Sequence, residues 1–227
     1  MQLRAYILFI AGVFSCLASA WAGKSLSFDG NGDTVATGRT IDLDNALTLS
    51  AWVKVANTSN NSYAIFGATT SSSNYWMLLP RASKSGLTVQ HRRNTNGGSS
   101  MYTTPSQNIT ANSWTHVVLA KSSGSTVKVY QNNVKITEQS LSYTAYTPAQ
   151  LYIGNQGNNG NWFNGNIDEV AYWNLELSVS EVTSLYNSGN GASALTIQSA
   201  GLQGYWKFDA VSGSTASDSS GNGRNGT

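Results

Sequence analysis

The sequence predicts an all-β, antiparallel sandwich, and three observations carry that reading. Short β-branched and aromatic runs recur along the chain, separated by Gly, Asn and Ser turns. In Leu47–Val55 the residues Leu47, Leu49, Ala51, Val53 and Val55 alternate with Thr48, Ser50, Trp52 and Lys54, the period of a strand with one core face. Only one segment reads as a helix. Ser178 is placed to cap it and Glu181 to answer three residues later, Val182, Leu185 and Tyr186 form its inward stripe, and Gly189 is placed to end it.

Taken in order, the expected strands are Lys24–Phe28, Thr34–Ala36, Leu47–Val55, Ala64–Ala68, Tyr75–Leu79, Leu87–Arg92, Met101–Thr103, Thr115–Lys121, Thr126–Gln131, Val134–Glu138, Gln150–Gly154, Asn166–Trp173 and Leu202–Phe208. Two hairpins are nearly explicit. Ser122-Ser123-Gly124-Ser125 joins the strands on either side of it, and Asn132-Asn133 sits where a two-residue type I′ turn needs residues tolerant of positive φ.

Residues 1–22 read as a cleavable signal peptide. Arg4 supplies the positive end, Ala5 to Leu17 the apolar core, and Ala18-Ser19-Ala20 or Ala20-Trp21-Ala22 the cleavage site. The apolar run is too short to span a bilayer, so no membrane span is expected after cleavage. Cys16 is the only cysteine and lies in this segment, in a poor approximation to a lipoprotein box, so the mature chain is held without disulfides. Residues 23–208 form the expected domain. Residues 209–227 are a Gly/Ser/Asn-rich tail, read as a loosely packed terminus, an edge strand of this domain, or the start of a truncated repeat.

Charged residues make up 11% of the chain and the net charge is +2, with no basic block beyond Arg92-Arg93, which excludes an electrostatic footprint for nucleic acid. Catalysis is not expected either. Asp168 and Glu169 are adjacent, so a regular strand sends them to opposite faces, and no other strand carries two acids on one face. His91 is flanked by arginines, His116 lies on a core-like strand, and no Gly-x-Ser-x-Gly elbow occurs.

Several segments resemble laminin-G-like and pentraxin-like domains, the concanavalin A-like lectin jelly rolls. They are Ser25–Val35 with its acidic turn, Leu47–Lys54, Trp114–Val118 followed by Val129–Asn133, and above all Leu151–Asn187, which holds Asn166-Ile167-Asp168-Glu169-Val170 and Tyr172-Trp173. The resemblance implies a jelly-roll β-sandwich with one short helix near its C-terminal end. It implies a structural Ca²⁺ on Gly30, Asp33 and Asp168, through carboxylate and carbonyl oxygens. The pentraxin-type calcium site is not expected, because Asn155-Gln156-Gly157-Asn158-Asn159 offers amides and no carboxylate.

Trp52, Trp114, Trp173 and Trp206 fall at the family's core stations. A sugar-binding surface of aromatic platform plus amides and guanidinium is expected from Tyr75, Trp76, His91, Arg92, Asn155 and Trp162, with Tyr143 and Tyr146 as further aromatics. The expected function is therefore secreted, extracellular or periplasmic, non-catalytic binding of a glycan. The alternative is a structural or adhesive module that binds an extracellular protein.

Overall fold

The structure is a computed structural model that describes residues 23–42, 44–57, 64–71, 74–81, 86–92, 99–103, 109–124, 126–140, 148–157 and 160–227. The expected signal peptide, Cys16, Tyr143 and Tyr146 lie outside the described residues. Fourteen strands and one α-helix follow in chain order: β1 (Leu26–Asp29), β2 (Val35–Ile41), β3 (Leu47–Val55), β4 (Phe66–Ser71), β5 (Asn74–Arg81), β6 (Gly86–Arg92), β7 (Ser99–Thr103), β8 (Trp114–Lys121), β9 (Thr126–Gln131), β10 (Val134–Ser140), β11 (Ala149–Ile153), β12 (Asn164–Trp173), α1 (Val179–Tyr186), β13 (Leu202–Ser212) and β14 (Thr215–Asp218).

The strands form two antiparallel sheets. One has eight strands in the order β10-β9-β8-β3-β12-β13-β14, with β1 also paired to β12; the other has six, in the order β2-β11-β4-β5-β6-β7. The core between them is built by alternation. Leu47, Leu49, Ala51, Val53 and Val55 of β3 meet Phe66 and Ala68 of β4, Leu78 of β5, Leu87 and Val89 of β6, and Leu151 and Ile153 of β11. This is the sandwich that the sequence predicts.

The polar face of β3 is not solvated, as its alternation alone suggests. Thr48, Ser50 and Trp52 are buried as well, because α1 and two 3₁₀ turns cover the outer face of the eight-stranded sheet. There the indole of Trp52 stacks on the Tyr186 ring at 5.9 Å. Thr48 resolves its own burial by donating to the Leu175 carbonyl at 2.8 Å and accepting from the Leu177 amide at 2.9 Å. Trp173 and Trp206 are fully buried, as their stations imply; Trp114 is half-buried beneath the Lys54 ammonium, 5.5 Å from its ring centre.

Local chemistry sets the punctuation. Asn132 and Asn133 take φ of 48° and 66°, as the two-residue turn between β9 and β10 requires. The capping box forms: the Glu181 amide donates to Ser178 Oγ at 3.3 Å, and the Ser178 amide to Glu181 Oε2 at 2.7 Å. The helix ends sooner than Gly189, because Asn187 takes the left-handed cap at φ 47° and a 3₁₀ turn follows.

The boundary expected at Phe208 falls inside a strand. β13 runs on to Ser212, turns, and pairs with β14; beyond it Gly226 bridges to Ala216 and Thr227 exchanges backbone hydrogen bonds with Ala36 of β2. Composition hides this because the segment is held by polar contacts around one carboxylate. Asp218 accepts from the backbone amides of Tyr205 (3.0 Å), Ser220 (2.8 Å) and Arg224 (2.9 Å), and from Ser220 Oγ (2.9 Å). Burial works against its ionisation, but these donors outweigh burial and hold the carboxyl below its ordinary range. Asp218→Ala is expected to cost roughly 2–4 kcal/mol in urea unfolding at pH 7. Because the folded value is depressed, the Asp218 contribution should be present above the ordinary carboxylate range and vanish as pH falls through the folded value, so wild type and variant should converge in acid.

Candidate functional site

With one sheet covered by α1, the outer face of the six-stranded sheet is the broad surface that register leaves for a ligand. Strand period and pairing define its rows. Phe66, Ala68, Leu78, Leu87, Val89, Leu151 and Ile153 belong to the core, so the residues alternating with them take the outer face. One outer row reads Gln150, Thr69, Tyr75, Arg92 and Ser99 across β11, β4, β5, β6 and β7. The next reads Tyr152, Gly67, Met77, Gln90 and Met101.

Residues 155–157 lie against the second row and form a rim. Its closeness is measured at Gly67, where a Cβ would stand 2.3 Å from the Asn155 carbonyl oxygen and 2.6 Å from the Gln156 Cα. Gly157, at φ 97°, rests on the Tyr152 ring; a Cβ there would meet Tyr152 Cδ2 at 2.4 Å. The segment is stitched to itself: Asn155 Oδ1 accepts from the Gly157 amide, Gln156 Oε1 accepts from Asn161 Nδ2, and the Ala64 amide donates to the Asn161 carbonyl at 2.8 Å. Residues 155–157 and 161 are thus held by the chain's own hydrogen bonds.

Against this geometry the expected binding set divides. Tyr75 and Arg92 come together as neighbours in one outer row. Trp76 and His91 also pair with each other, but Trp76 stands opposite the core residue Ala68 and in phase with Leu78, and His91 in phase with Val89, so both occupy core-face positions of their strands. The side chains of these four lie outside the described residues. Asn155 is 3% exposed and its oxygen is engaged by the loop, which makes it the loop's organiser and not a ligand contact. Trp162 is half-buried beside Phe163, which packs edge-on to Phe28 in the core at 5.9 Å. Gln150, Thr69 and Tyr152 were not among the expected residues, although their alternation with Leu151, Ile153 and Ala68 is the signal that finds them.

The ligand set implied for calcium does not converge. Asp33 closes its own turn, accepting from the Asp29 amide at 2.8 Å, and Asp29 pairs with Asn164. Asp168 lies four residues further along β12, about 13 Å away at strand rise. One ion with ligands at about 2.3–2.6 Å cannot bridge that gap. Among the described residues no group of three His, Cys, Asp or Glu side chains is placed to hold a metal. Gly30, Asp33 and Asp168 therefore do not fit one shared ion.

Asp168 and Glu169 do not take opposite faces. A bulge interrupts the β12–β3 pairing between Asp168 and Ala171, and Glu169 takes φ 50°. Both acids then lie on the helix-covered side, where Tyr205 Oη donates to Glu169 Oε2. Burial, then the Glu169 charge, raises the Asp168 carboxyl to about 7, and burial raises Glu169 too. His116 is nearby, donating or accepting at 2.9 Å with Ser50 Oγ, but burial lowers it to about 3 and the Trp52 ring covers it at 5.1 Å. That neutral, enclosed imidazole packs the outer layer and is poorly suited to general-base work.

The comparisons with known proteins agree with this architecture. A model of the concanavalin A-like lectin/glucanases superfamily, the laminin-G type, matches residues 29–183. The chain belongs to this family. No curated protein matches its sequence. Among solved structures it is similar to domain 4 of an extracellular arabinanase from Geobacillus stearothermophilus in complex with arabinotriose (22% identity, 73% of this chain and 78% of that one, TM-score 0.60). It is similar also to a heptameric pentraxin from Limulus polyphemus (18%, 74% and 82%, 0.56). A third is a carbohydrate-binding module of a Ruminococcus gnavus sialidase, bound to sialyllactose (15%, 70% and 94%, 0.53). At these identities the likeness establishes the fold of this laminin-G-type chain.

Two outcomes are expected. Gly67→Ala should cost roughly 1–3 kcal/mol and loosen the Asn155–Asn161 segment, read as faster amide exchange there. For Asp168, the unfolded chain ionises near 3.8 and the folded one near 7, so folded stability falls as pH rises across that window. Asp168→Asn keeps an oxygen for the Glu169 amide and removes the penalty. Its unfolding midpoint should exceed that of wild type at pH 8 and match it near pH 3.5.

Proposed function

We propose that this laminin-G-type chain is a secreted, non-catalytic module that binds an extracellular polysaccharide along the outer face of its six-stranded sheet. The observation that carries the reading is the row Gln150, Thr69, Tyr75 and Arg92, bordered by the stitched rim of residues 155–157. Four strands spaced by about 4.8 Å make a row about 14 Å long, room for several linked sugar rings. An aromatic residue flanked by an amide, a hydroxyl and a guanidinium offers what a sugar chain needs: a flat apolar surface for C–H groups, and donors and acceptors for hydroxyls.

The absence of chemistry in this row supports binding over turnover. Its residues include no carboxylate to act as acid or nucleophile, and the two adjacent acids of β12 lie on the other sheet beneath the helix layer. The solved complexes with arabinotriose and sialyllactose are of this fold, which makes a glycan the natural ligand class to try. Secretion follows from the reading of residues 1–22. Among the described residues no helix is long and apolar enough to cross a membrane.

Affinity electrophoresis of the purified protein against a polysaccharide panel tests the reading. At least one polysaccharide should retard it, and Tyr75→Ala or Gln150→Ala should weaken binding about tenfold while leaving the unfolding midpoint within a few degrees. Trp76→Ala, at a core-face position, should instead lower stability. No retardation by any polysaccharide, together with self-association on sizing, would replace this reading with an adhesive, protein-binding one.

A further inference from the structure

An asparagine followed directly by glycine is a chemically labile pair, because glycine has no side chain to shield its amide nitrogen from the asparagine side chain. This chain has seven such pairs. Asn96 and Asn159 lie outside the described residues, which leaves Asn31, Asn164, Asn190, Asn222 and Asn225. Two local conditions decide whether a folded pair reacts. The glycine amide must be free of an acceptor, and the asparagine side chain must be free to swing onto it.

Four of the five pairs fail one condition or both. Gly165 lies in β12 between Phe28 of β1 and Val55 of β3, and a Cβ there would stand 2.1 Å from the Lys54 carbonyl oxygen, so its backbone is enclosed on both sides. The Gly191 amide donates to the Tyr186 carbonyl at 3.1 Å. Asn222 Nδ2, the atom that would have to leave, donates to the Leu202 carbonyl at 3.0 Å and to Ser220 Oγ at 3.1 Å. Asn225 is held at both ends: its Oδ1 accepts from the Asp218 amide at 3.0 Å, and the Gly226 amide donates to the Ala216 carbonyl at 2.8 Å.

Asn31-Gly32, in the exposed turn between β1 and β2, meets both conditions. The Asn31 backbone amide donates to Asp29 Oδ1 at 2.6 Å, but among the described residues neither the Asn31 side chain nor the Gly32 amide has a partner. A Cβ at Gly32 would meet nothing within 4 Å, so the turn is open around the attacking nitrogen. The charged groups of the turn are Asp29 and Asp33. Asp33 Oδ2 accepts from the Asp29 amide, and solvent screens both carboxylates at this exposed tip.

We propose that Asn31 is a site of spontaneous deamidation in the folded protein, and that the fold protects the other four pairs. The deprotonated Gly32 nitrogen attacks Asn31 Cγ. A C–N bond forms to close a five-membered succinimide, the Cγ–Nδ2 bond breaks, and Nδ2 leaves as ammonia with a proton from solvent. Water then opens the ring at one of its two carbonyl carbons, giving aspartate or isoaspartate at position 31. Either product adds one negative charge to a chain whose formal net charge is +2. Isoaspartate also inserts a methylene into the main chain between Asp29 and Asp33, whose bond at 2.8 Å closes the turn, so this product opens the link between β1 and β2.

Folded and unfolded rates, compared site by site, test the assignment. The purified protein is incubated at pH 7.4 and 37 °C, beside a sample unfolded in guanidinium chloride. Both are digested at acidic pH, and the peptides are mapped by mass spectrometry for the one-dalton gain and for isoaspartate. Folding should slow Asn31 by less than tenfold, and Asn164, Asn190, Asn222 and Asn225 by more than tenfold each. Slowing of Asn31 by tenfold or more overturns the proposal. Conversion of any of the other four in the folded protein at close to its unfolded rate overturns it as well.

Discussion

The fold turns on one strand that has to break its own period. β12 pairs with β3 along one side and with β1, then β13, along the other, so every strand of the eight-stranded sheet is placed relative to it. Its sequence sets Ile167 and Val170 three residues apart, and both are in the core. A regular strand cannot put both on one face; it would bury Glu169 with Ile167 instead. The left-handed Glu169 supplies the extra residue. That conformation costs on the order of 1–3 kcal/mol, against the several kcal/mol of an unpaired carboxylate in an apolar core. The bulge is the cheaper solution, and the Glu169–Tyr205 contact follows from it.

The bulge also decides which surface is free. It keeps the acids and Trp173 on the side that α1 and the 3₁₀ turns cover, where Trp173 Nε1 donates to the Ile197 carbonyl at 3.1 Å and fixes that layer to the sheet. The periphery is tied by similar polar devices. Buried Lys121 donates to the carbonyls of Asn45, Ser122 and Gly124 at 2.8–3.2 Å, joining the β2–β3 connection to the β8–β9 turn with an ammonium. Such contacts hold an edge in place without adding apolar area, and they leave the six-stranded sheet as the open side of the sandwich.

Much of the architecture was legible because it rests on local rules. Thirteen of the strands, the Asn132-Asn133 turn and the capped helix follow from alternation, positive-φ tolerance and the Ser178–Glu181 spacing. What escaped depends on contacts distant in sequence. The bulge at Glu169 needs the knowledge that Val170 packs inward; β14 is held by the Asp218 hydrogen bonds and not by apolar residues. The site was half legible for the same reason. Tyr75 and Arg92 are the right types on neighbouring strands, but Trp76 has apolar residues on both faces of its strand, so only pairing with Ala68 shows which face it takes. Asn155 looked available because its bond to the Gly157 amide is invisible in composition.

The last two residues have a role out of proportion to their size. Gly226 occupies the backbone groups of Ala216 on the rim of one sheet, and Thr227 those of Ala36 on the rim of the other. Bare strand rims are templates on which further copies of a chain can stack through their main chains. By pairing with both at once, this short clasp joins the two sheets along one seam through main-chain bonds alone, while β10 and β7 form their opposite edges.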